Sequence, residues 1–420
     1  MSAFWPSKSL AEVCEIKPSK SEVRRKLKDS DFVSFVPMED LGIDQKFLEP
    51  KAERKLGEVA GSYTYFADGD VLLAKITPCF ENGKLGIARG LTNGIGFGSS
   101  EYIVFRPSNE LSGEYLYYYL LQGSFRTNGI RTMSGAVGHK RVSKEFIESC
   151  QIPLRPLPEQ QRIVAILDEA FAGLATATAN AEKNLKNARE LFESYLSSIF
   201  DEGDEDWQQT ALGAEIDLLV GFAFKSAQYT KSDSGIRLLR GDNVIQNALR
   251  WDDVKRWPSS DLKKYEDYKL EVGDIVLAMD RTWVKAGLKF AVLGESDVPS
   301  LLVQRVARLR CCEQLDNRFL AYLIGSPKFT HYVLDIQTGL GVPHISGKQI
   351  SDFSFRRPAV SEQRKIGAAI QELAAEVARL EYVYKEKLTS FADLKQSILQ
   401  KAFAGELTSP PSQVIKEAAE

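Results

Sequence analysis

Apolar residues recur at spacings of three and four along two long stretches of the chain. In the first they are Ile163, Leu167, Ala170, Leu174, Ala177, Ala181 and Leu185; in the second, Ile366, Ile370, Leu373, Val377, Leu380, Tyr384 and Leu388. That spacing predicts two helices, each with a coiled-coil seam. Both break step at one place: Ala177, Ala181, Leu185 and Leu380, Tyr384, Leu388 run four then four. Such a break locally unwinds a supercoil, and matching breaks predict that the two helices pack on each other in register. The stretches are copies. Between Glu159–Phe200 and Glu362–Phe403, 203 residues further on, 12 of 42 aligned positions are identical. Among them are Glu159/Glu362, Gln160/Gln363, Ile163/Ile366, Leu185/Leu388, Leu196/Leu399 and Phe200/Phe403.

The predicted ends carry suitable punctuation. Pro158 and Glu159 suit a first turn, Ser361 is a candidate N-cap, and Gly203 and Gly405 stand where a C-terminal glycine belongs. About 42 residues at about 1.5 Å each make a helix of roughly 60 Å. Each helix is preceded by a region of mixed strand and loop character, and these heads also correspond. Trp5 and Leu10 match Trp207 and Leu212; Gly69-Asp70 followed by Val71–Ala74 matches Gly273-Asp274 followed by Ile275–Ala278; Ser134-Gly135 matches Thr338-Gly339. Gly-Asp before an apolar run reads as a turn into a strand. Short helices are expected at Glu114–Gln122 and Asn317–Ile324. The expected division is a first head over 1–155, a helix over 156–203, a second head over 204–357, a helix over 358–405 and a frayed tail over 406–420. Acidic Asp201–Asp206 links the halves.

Composition narrows the picture. The net charge is −3. A strong nucleic-acid binder usually shows a basic balance, so any such surface here is local or completed by a partner. Cys14, Cys79, Cys150, Cys311 and Cys312 form no CxxC pair and read as reduced structural thiols, with Cys311 and Cys312 on alternate faces of a strand. The three histidines make no zinc spacing with them. No apolar run of membrane-spanning length and no secretory leader is read, so a cytoplasmic location is expected. Catalytic motifs are also missing. The one Pro-Pro pair is Pro410-Pro411, in the tail, and Gly94–Gly98 precedes a strand, whereas a cofactor-cradling loop opens a helix. Gly341–Lys348 is one residue too long for a phosphate loop.

Taken together, the Pro-Leu-Pro-Glu-Gln start at Pro156–Gln160, its counterpart from Pro358 to Gln363, the paired Gly-Asp strands and the paired Ser/Thr-Gly loops resemble the specificity subunit of type I restriction-modification enzymes over almost the whole chain. The resemblance implies an α+β fold. Two similar α/β target-recognition domains are separated by two long helices in an antiparallel coiled coil, with pseudo-twofold internal repetition. It implies a bipartite double-stranded DNA target, two methyltransferase subunits docked on the helices, and restriction subunits bound through them. It implies no catalytic residue and no cofactor or metal in this chain. S-adenosylmethionine, ATP and Mg would come with the partners.

Candidate DNA-reading residues lie at matching places. Head one offers Lys75, Thr77, Asn82 and Lys84 after its strand, then the glycine-rich basic loop with Ser134, Gly135, His139, Lys140 and Arg141. Head two offers Arg281, Thr282, Trp283 and Lys285, then Thr338, Gly339, His344 and Lys348, with Arg240, Gln304 and Arg305 in addition. Glycines let backbone approach closely, Lys and Arg neutralise phosphates, and Arg and Asn read base edges. Any one of these charges taken singly reads first as a solvated surface group, whereas each loop as a whole reads as a DNA contact. Lys20–Lys28 is a further basic stretch, and Trp283 is either core or a wedge against bases. The other reading of the whole chain is a non-catalytic coiled-coil scaffold with two protein-binding heads.

Overall fold

A computed structural model describes residues 6–203, 205–339 and 342–407. Trp5, the loop residues Leu340 and Gly341, and the tail from Thr408 onward lie outside the described residues, as does Asp204 of the acidic linker.

Two compact units emerge, each drawing on both long helices. One comprises Met1–Ala181 with Glu386–Glu420, the other Glu182–Lys385. The helices run Leu157–Ser197 and Val360–Ala404. In the first unit Ile163 and Leu167 share a core with Leu399 and Phe403; in the second, Leu196 and Phe200 share one with Ile370. Early positions of one helix thus meet late positions of the other, which makes the two antiparallel within each unit.

The heads are built alike. In head one, strands order as Cys14–Ile16, Tyr102–Pro107, Val71–Ala74, Leu85–Ile87, all antiparallel. In head two the order is Ile216–Val220, Val306–Cys311, Ile275–Ala278, Phe290–Val292. A second sheet in each has one parallel pair, Phe32–Val36 with Ile95–Gly98 and Ile236–Leu239 with Ser300–Leu302. The apolar strand after each Gly-Asp sits between these layers. Val71 and Leu73 face the core shared with the long helices, while Leu72 and Ala74 face the core under the second sheet. Ile275 and Leu277 are divided from Val276 and Ala278 in the same way. Alternation sends successive side chains to opposite faces, and a strand buried on both faces is therefore apolar throughout.

The Gly-Asp pairs have a structural task. Gly69 and Gly273 turn at φ 90° and 91°, where a side chain would be strained. Asp70 then accepts the amide of Ala67 at 2.8 Å and takes Arg106 in a fork at 2.9 and 2.8 Å. Asp274 does the same with the amide of Glu271 and with Arg310. Both carboxylates are buried, so a bidentate arginine is the partner that offsets their desolvation. Gly96, in the strand Ile95–Gly98, lies under Phe66, whose ring a Cβ would meet at 2.2 Å; close packing, not cofactor binding, requires that glycine.

The Glu-Gln helix starts contain a second duplicated device. Gln160 and Gln363 are fully buried. Gln160 accepts the amide of Ser112 at 2.8 Å and donates to the carbonyls of Glu110 and Arg155. Gln363 accepts the amide of Asp316 at 2.7 Å and donates to the carbonyls of Gln314 and Pro358. Each glutamine fastens a long helix to the loop that opens its head's own short helix, Gly113–Leu120 or Asn317–Ile324.

Several expectations need correction. Ser361 lies inside the second helix rather than capping it, because the backbone carbonyl of Ala359 takes the amides of Glu362 and Gln363. Leu380 does not line the seam: it is exposed, and Glu381 turns inward to meet Arg189 at 2.7 Å. The second helix therefore steps from Val377 to Glu381 and Tyr384. Cys312 lies past the end of its strand and is exposed. The helix over Leu157–Asp201 is long and apolar enough to cross a membrane by length and composition, which the seam-based reading did not count. Its alanines raise the hydropathy, while its leucines and isoleucines supply the packing described above.

Candidate nucleic-acid interface

In head one the strand Val71–Ala74 runs on into Lys75, Ile76 and Thr77, and the glycine-rich loop returns beside it. The Thr77 amide donates to Lys140 O, and the Val142 amide donates to Lys75 O. Ser134 and Arg141 exchange backbone hydrogen bonds at 3.1 and 2.9 Å, closing the loop at its base. Gly135 and Gly138 turn with positive φ, and the amide of His139 reaches back to Ala136 O. The tip presents Val137, which is 93% exposed, with His139 and Lys140 beside it.

Head two repeats the closure. Thr338 and His344 exchange backbone hydrogen bonds at 3.0 and 2.8 Å, and His344 also bridges Asp280, as Arg141 bridges Ile76. Arg281 donates its amide to Pro343 O. The chain then makes a hairpin, Trp283–Val284 against Gly287–Leu288, with Lys285 exposed at its tip. Arg281 and Arg305 both hold left-handed backbone, φ 46° and 70°. For residues with a side chain that conformation is uncommon and is held by surrounding structure. In both heads, therefore, the strand end and the glycine-rich loop form one surface.

The structure separates the candidate residues by what they already hold. Lys75 gives its ammonium to Ser100 O, and burial lowers its pKa. Lys84 donates to Met38 O at 2.7 Å, and Thr77 to Glu81. Arg141 forks onto Glu101 at 2.9 and 2.7 Å; hydrogen bonding to that guanidinium holds the Glu101 carboxyl below the usual range. Arg240 is engaged by Asp242 and Asp253, and Arg305 lies 3.7 Å from Asp280. Thr282 is buried and faces inward, away from any ligand. Trp283 is 37% exposed. Asn82, His139, Lys140, Arg281, Lys285, Gln304 and Lys348 are exposed, as are Ser134, Gly135, Thr338 and Gly339 of the two loops. The Lys20–Lys28 stretch places Arg24, Arg25 and Lys26 on the surface, whereas Lys20 donates to Ala60 O.

Sequence reasoning missed Glu101 and Asp280, which hold the loop bases. No motif marks them. A faint signal lay in the repeat itself, since Glu101 and Arg305 occupy matching positions before strands Tyr102–Pro107 and Val306–Cys311. The sign of the charge is exchanged there: Glu101 meets Arg141 in head one, and Arg305 meets Asp280 in head two.

Known proteins place this architecture. The family described as Type I restriction modification DNA specificity domain matches residues 4–187. The Type I restriction enzyme EcoAI specificity subunit of Escherichia coli is 30% identical over 91% of this chain and 79% of its own length. The chain belongs to the type I restriction enzyme specificity subunits. Two solved structures share the specificity-subunit fold. One, from work on complex assembly and conformational transition of the type I R-M system, superposes with a TM-score of 0.78 at 20% identity, covering 96% of this chain and 98% of that one. The other, the HsdS subunit from Thermoanaerobacter tengcongensis, gives 0.61 at 21% identity with the same coverage. A type I specificity subunit is the non-catalytic DNA-recognition component of its restriction-modification complex.

Proposed function

We propose that this specificity subunit reads a split double-stranded DNA target, one half-site with each head, while its paired helices set the gap and dock two methyltransferase subunits. The observation that carries this reading is the duplicated surface, in which each head brings a strand end and a glycine-rich loop together. Two readers fixed on one spacer recognise two half-sites only when the spacer matches their separation along the duplex. The heads differ in sequence at these surfaces, so the half-sites differ. Lys140 and Lys285 contact phosphate, His139, Arg281 and Gln304 lie toward base edges, and Arg141 and Arg305 shape the surface through Glu101 and Asp280. The duplicated helices offer two equivalent docking sites, which suits two identical partners. S-adenosylmethionine, ATP and Mg belong to those partners, and the complex works in the cytoplasm.

The test is methylation-aware sequencing of DNA from cells that express this chain with its methyltransferase subunit, with the chain omitted as control. A split motif methylated only when the chain is present supports the reading and reveals both half-sites. Identical methylation without it, in cells where the complex is assembled, refutes it.

A further inference from the structure

The two units treat one matching groove differently. In the first unit, a segment around Asp44–Leu48 lies between the short helix Gly113–Leu120 and the long helices. Lys46, whose side chain is 16% exposed, pairs with Glu114 and with Asp168. Asp44 pairs with Lys395 at 2.7 Å, and Lys395 in turn sits 5.3 Å over the ring of Phe171. Tyr118 donates its hydroxyl to Asp168. The groove is acidic, and the chain fills it with its own lysine.

In the second unit the repeat puts Arg318 at the place of Glu114, Gln371 at Asp168, Ala374 at Phe171, Ala321 at Tyr117 and Phe192 at Lys395. The matching segment is present but shorter in reach. Gln246 bridges Phe290 as Phe47 bridges Ile87, yet Val244–Ile245 and Ala248–Leu249 fold into a tight hairpin around Asn247 at φ 54°. Nothing in it replaces Lys46. What remains is a cleft of about 870 Å³ whose floor includes Phe192, Ala321, Tyr322 and Ala374, with Arg318 and Arg364 at its edge. Exchanging Tyr and Phe for two alanines accounts for the space, and exchanging two carboxylates for Arg318 and Gln371 reverses the charge. Arg364 lies 3.7 Å from Asp316; Arg318 has no ion pair among the described residues.

We propose that this cleft docks a segment of a partner protein carrying a carboxylate beside an aromatic or branched apolar side chain. The first unit supplies the template: a short extended segment, one charge satisfied by the helices, one apolar neighbour against the head. With the charge reversed, the carboxylate takes Arg318, where an isolated cation gains a charge-assisted hydrogen bond. The apolar side chain enters the space left by Ala321 and Ala374, where buried area supplies the affinity. The inference does not depend on which DNA is read.

Two labelled synthetic peptides test it on the full-length chain: the sequence of residues 41–49 as it stands, and the same peptide with Lys46→Glu. The Lys46→Glu peptide binds at least tenfold tighter, Arg318→Glu in the protein inverts that preference, and Ala374→Phe, which restores the filling side chain of the first unit, abolishes binding at an unchanged circular-dichroism spectrum. Equal or absent binding of the two peptides, or binding that survives Ala374→Phe, overturns the proposal. A benzophenone attached at Gln371→Cys in the complex with methyltransferase subunits and DNA gives the second readout. Crosslinks to a partner protein are expected; crosslinks confined to DNA or to this chain overturn it.

Discussion

The side-chain oxygen of Gln160 accepts the backbone amide of Ser112 at 2.8 Å, joining the first turn of a long helix to the first turn of a short one 48 residues away. The same glutamine satisfies two carbonyls, and its surroundings exclude water. Gln160→Leu leaves one amide and two carbonyls without partners, at a cost of about 3 kcal/mol to the first unit. Hydrogen exchange at the Ser112 amide accelerates accordingly. Gln363→Leu does the same at Asp316, and the two losses add within about 0.5 kcal/mol because they share no partner. Unchanged exchange at Ser112 would refute the clamp.

Lys140 and Lys84 are both candidates of head one, with opposite expected behaviour. Lys140 is exposed at the loop tip; Lys84 is held by Met38 O. Removing a phosphate contact flattens the dependence of log affinity on log salt by about 0.9. Lys140→Ala shows that flattening in DNA titrations of the assembled complex, and Lys84→Ala does not. Equal slopes for the two variants would sink the assignment.

The Glu101–Arg141 fork gives the loop base a dependence on acid. Hydrogen bonding to Arg141 lowers the Glu101 pKa from its ordinary 4.5, so the folded form binds its proton less readily than the unfolded one. Stability from the pair is then fully present above pH 4.5 and is lost as pH falls through the lower folded value. Exchange protection at the Ser134 and Thr77 amides declines over that acid window, and Glu101→Gln removes the dependence. Protection that rose on acidification would contradict the sign.

The spacer makes a separate prediction. Four residues inserted into both helices, at Ala181 and Tyr384, lengthen the gap in the methylated motif and leave both half-sites unchanged. A changed half-site with the original gap would refute the ruler.

Thiol chemistry reports on the cores. Burial pushes Cys14 up to about 12 and Cys311 up to about 12, whereas Cys312 is exposed. Thiolate is the reactive form, so iodoacetamide at pH 8 labels exposed Cys312 first, half-buried Cys311 more slowly, and buried Cys14 only at the rate of unfolding. Early labelling at Cys14, read by mass spectrometry, would show that its core opens locally.

Much of this architecture was legible because it is written twice. The Gly-Asp turns, the Glu-Gln helix starts and the Ser/Thr-Gly loops all fall at matching places in the two units, and repetition turns weak local signals into a pattern. The helix seam was legible where it is apolar and misread where it is not. Leu380 fits the spacing, yet Glu381 faces inward because Arg189 is there to receive it, and apolar periodicity cannot register a charged pair. The candidate surface was legible in placement and less so in roles. Arg141 is occupied by a carboxylate 40 residues earlier, and Lys75 and Lys84 by backbone carbonyls. Such partners are fixed by tertiary folding, so a lysine tied to the fold and one free to meet phosphate look alike in sequence. Thr282 is the plainest case: polar, beside exposed neighbours, and buried.

The division of the chain sets an order of assembly on the ribosome. The second unit is one continuous stretch, Glu182–Lys385, while the first needs Glu386 onward to be complete. Head one is synthesised first, yet Ile163, Leu167 and Tyr115 wait for Leu399 and Phe403, which share their core and are translated after all of head two. At about 5–20 residues per second, that delay lasts on the order of ten seconds or more. Throughout it, the apolar side of the earlier helix lacks its own partner, which gives a chaperone an interval in which to engage the nascent chain.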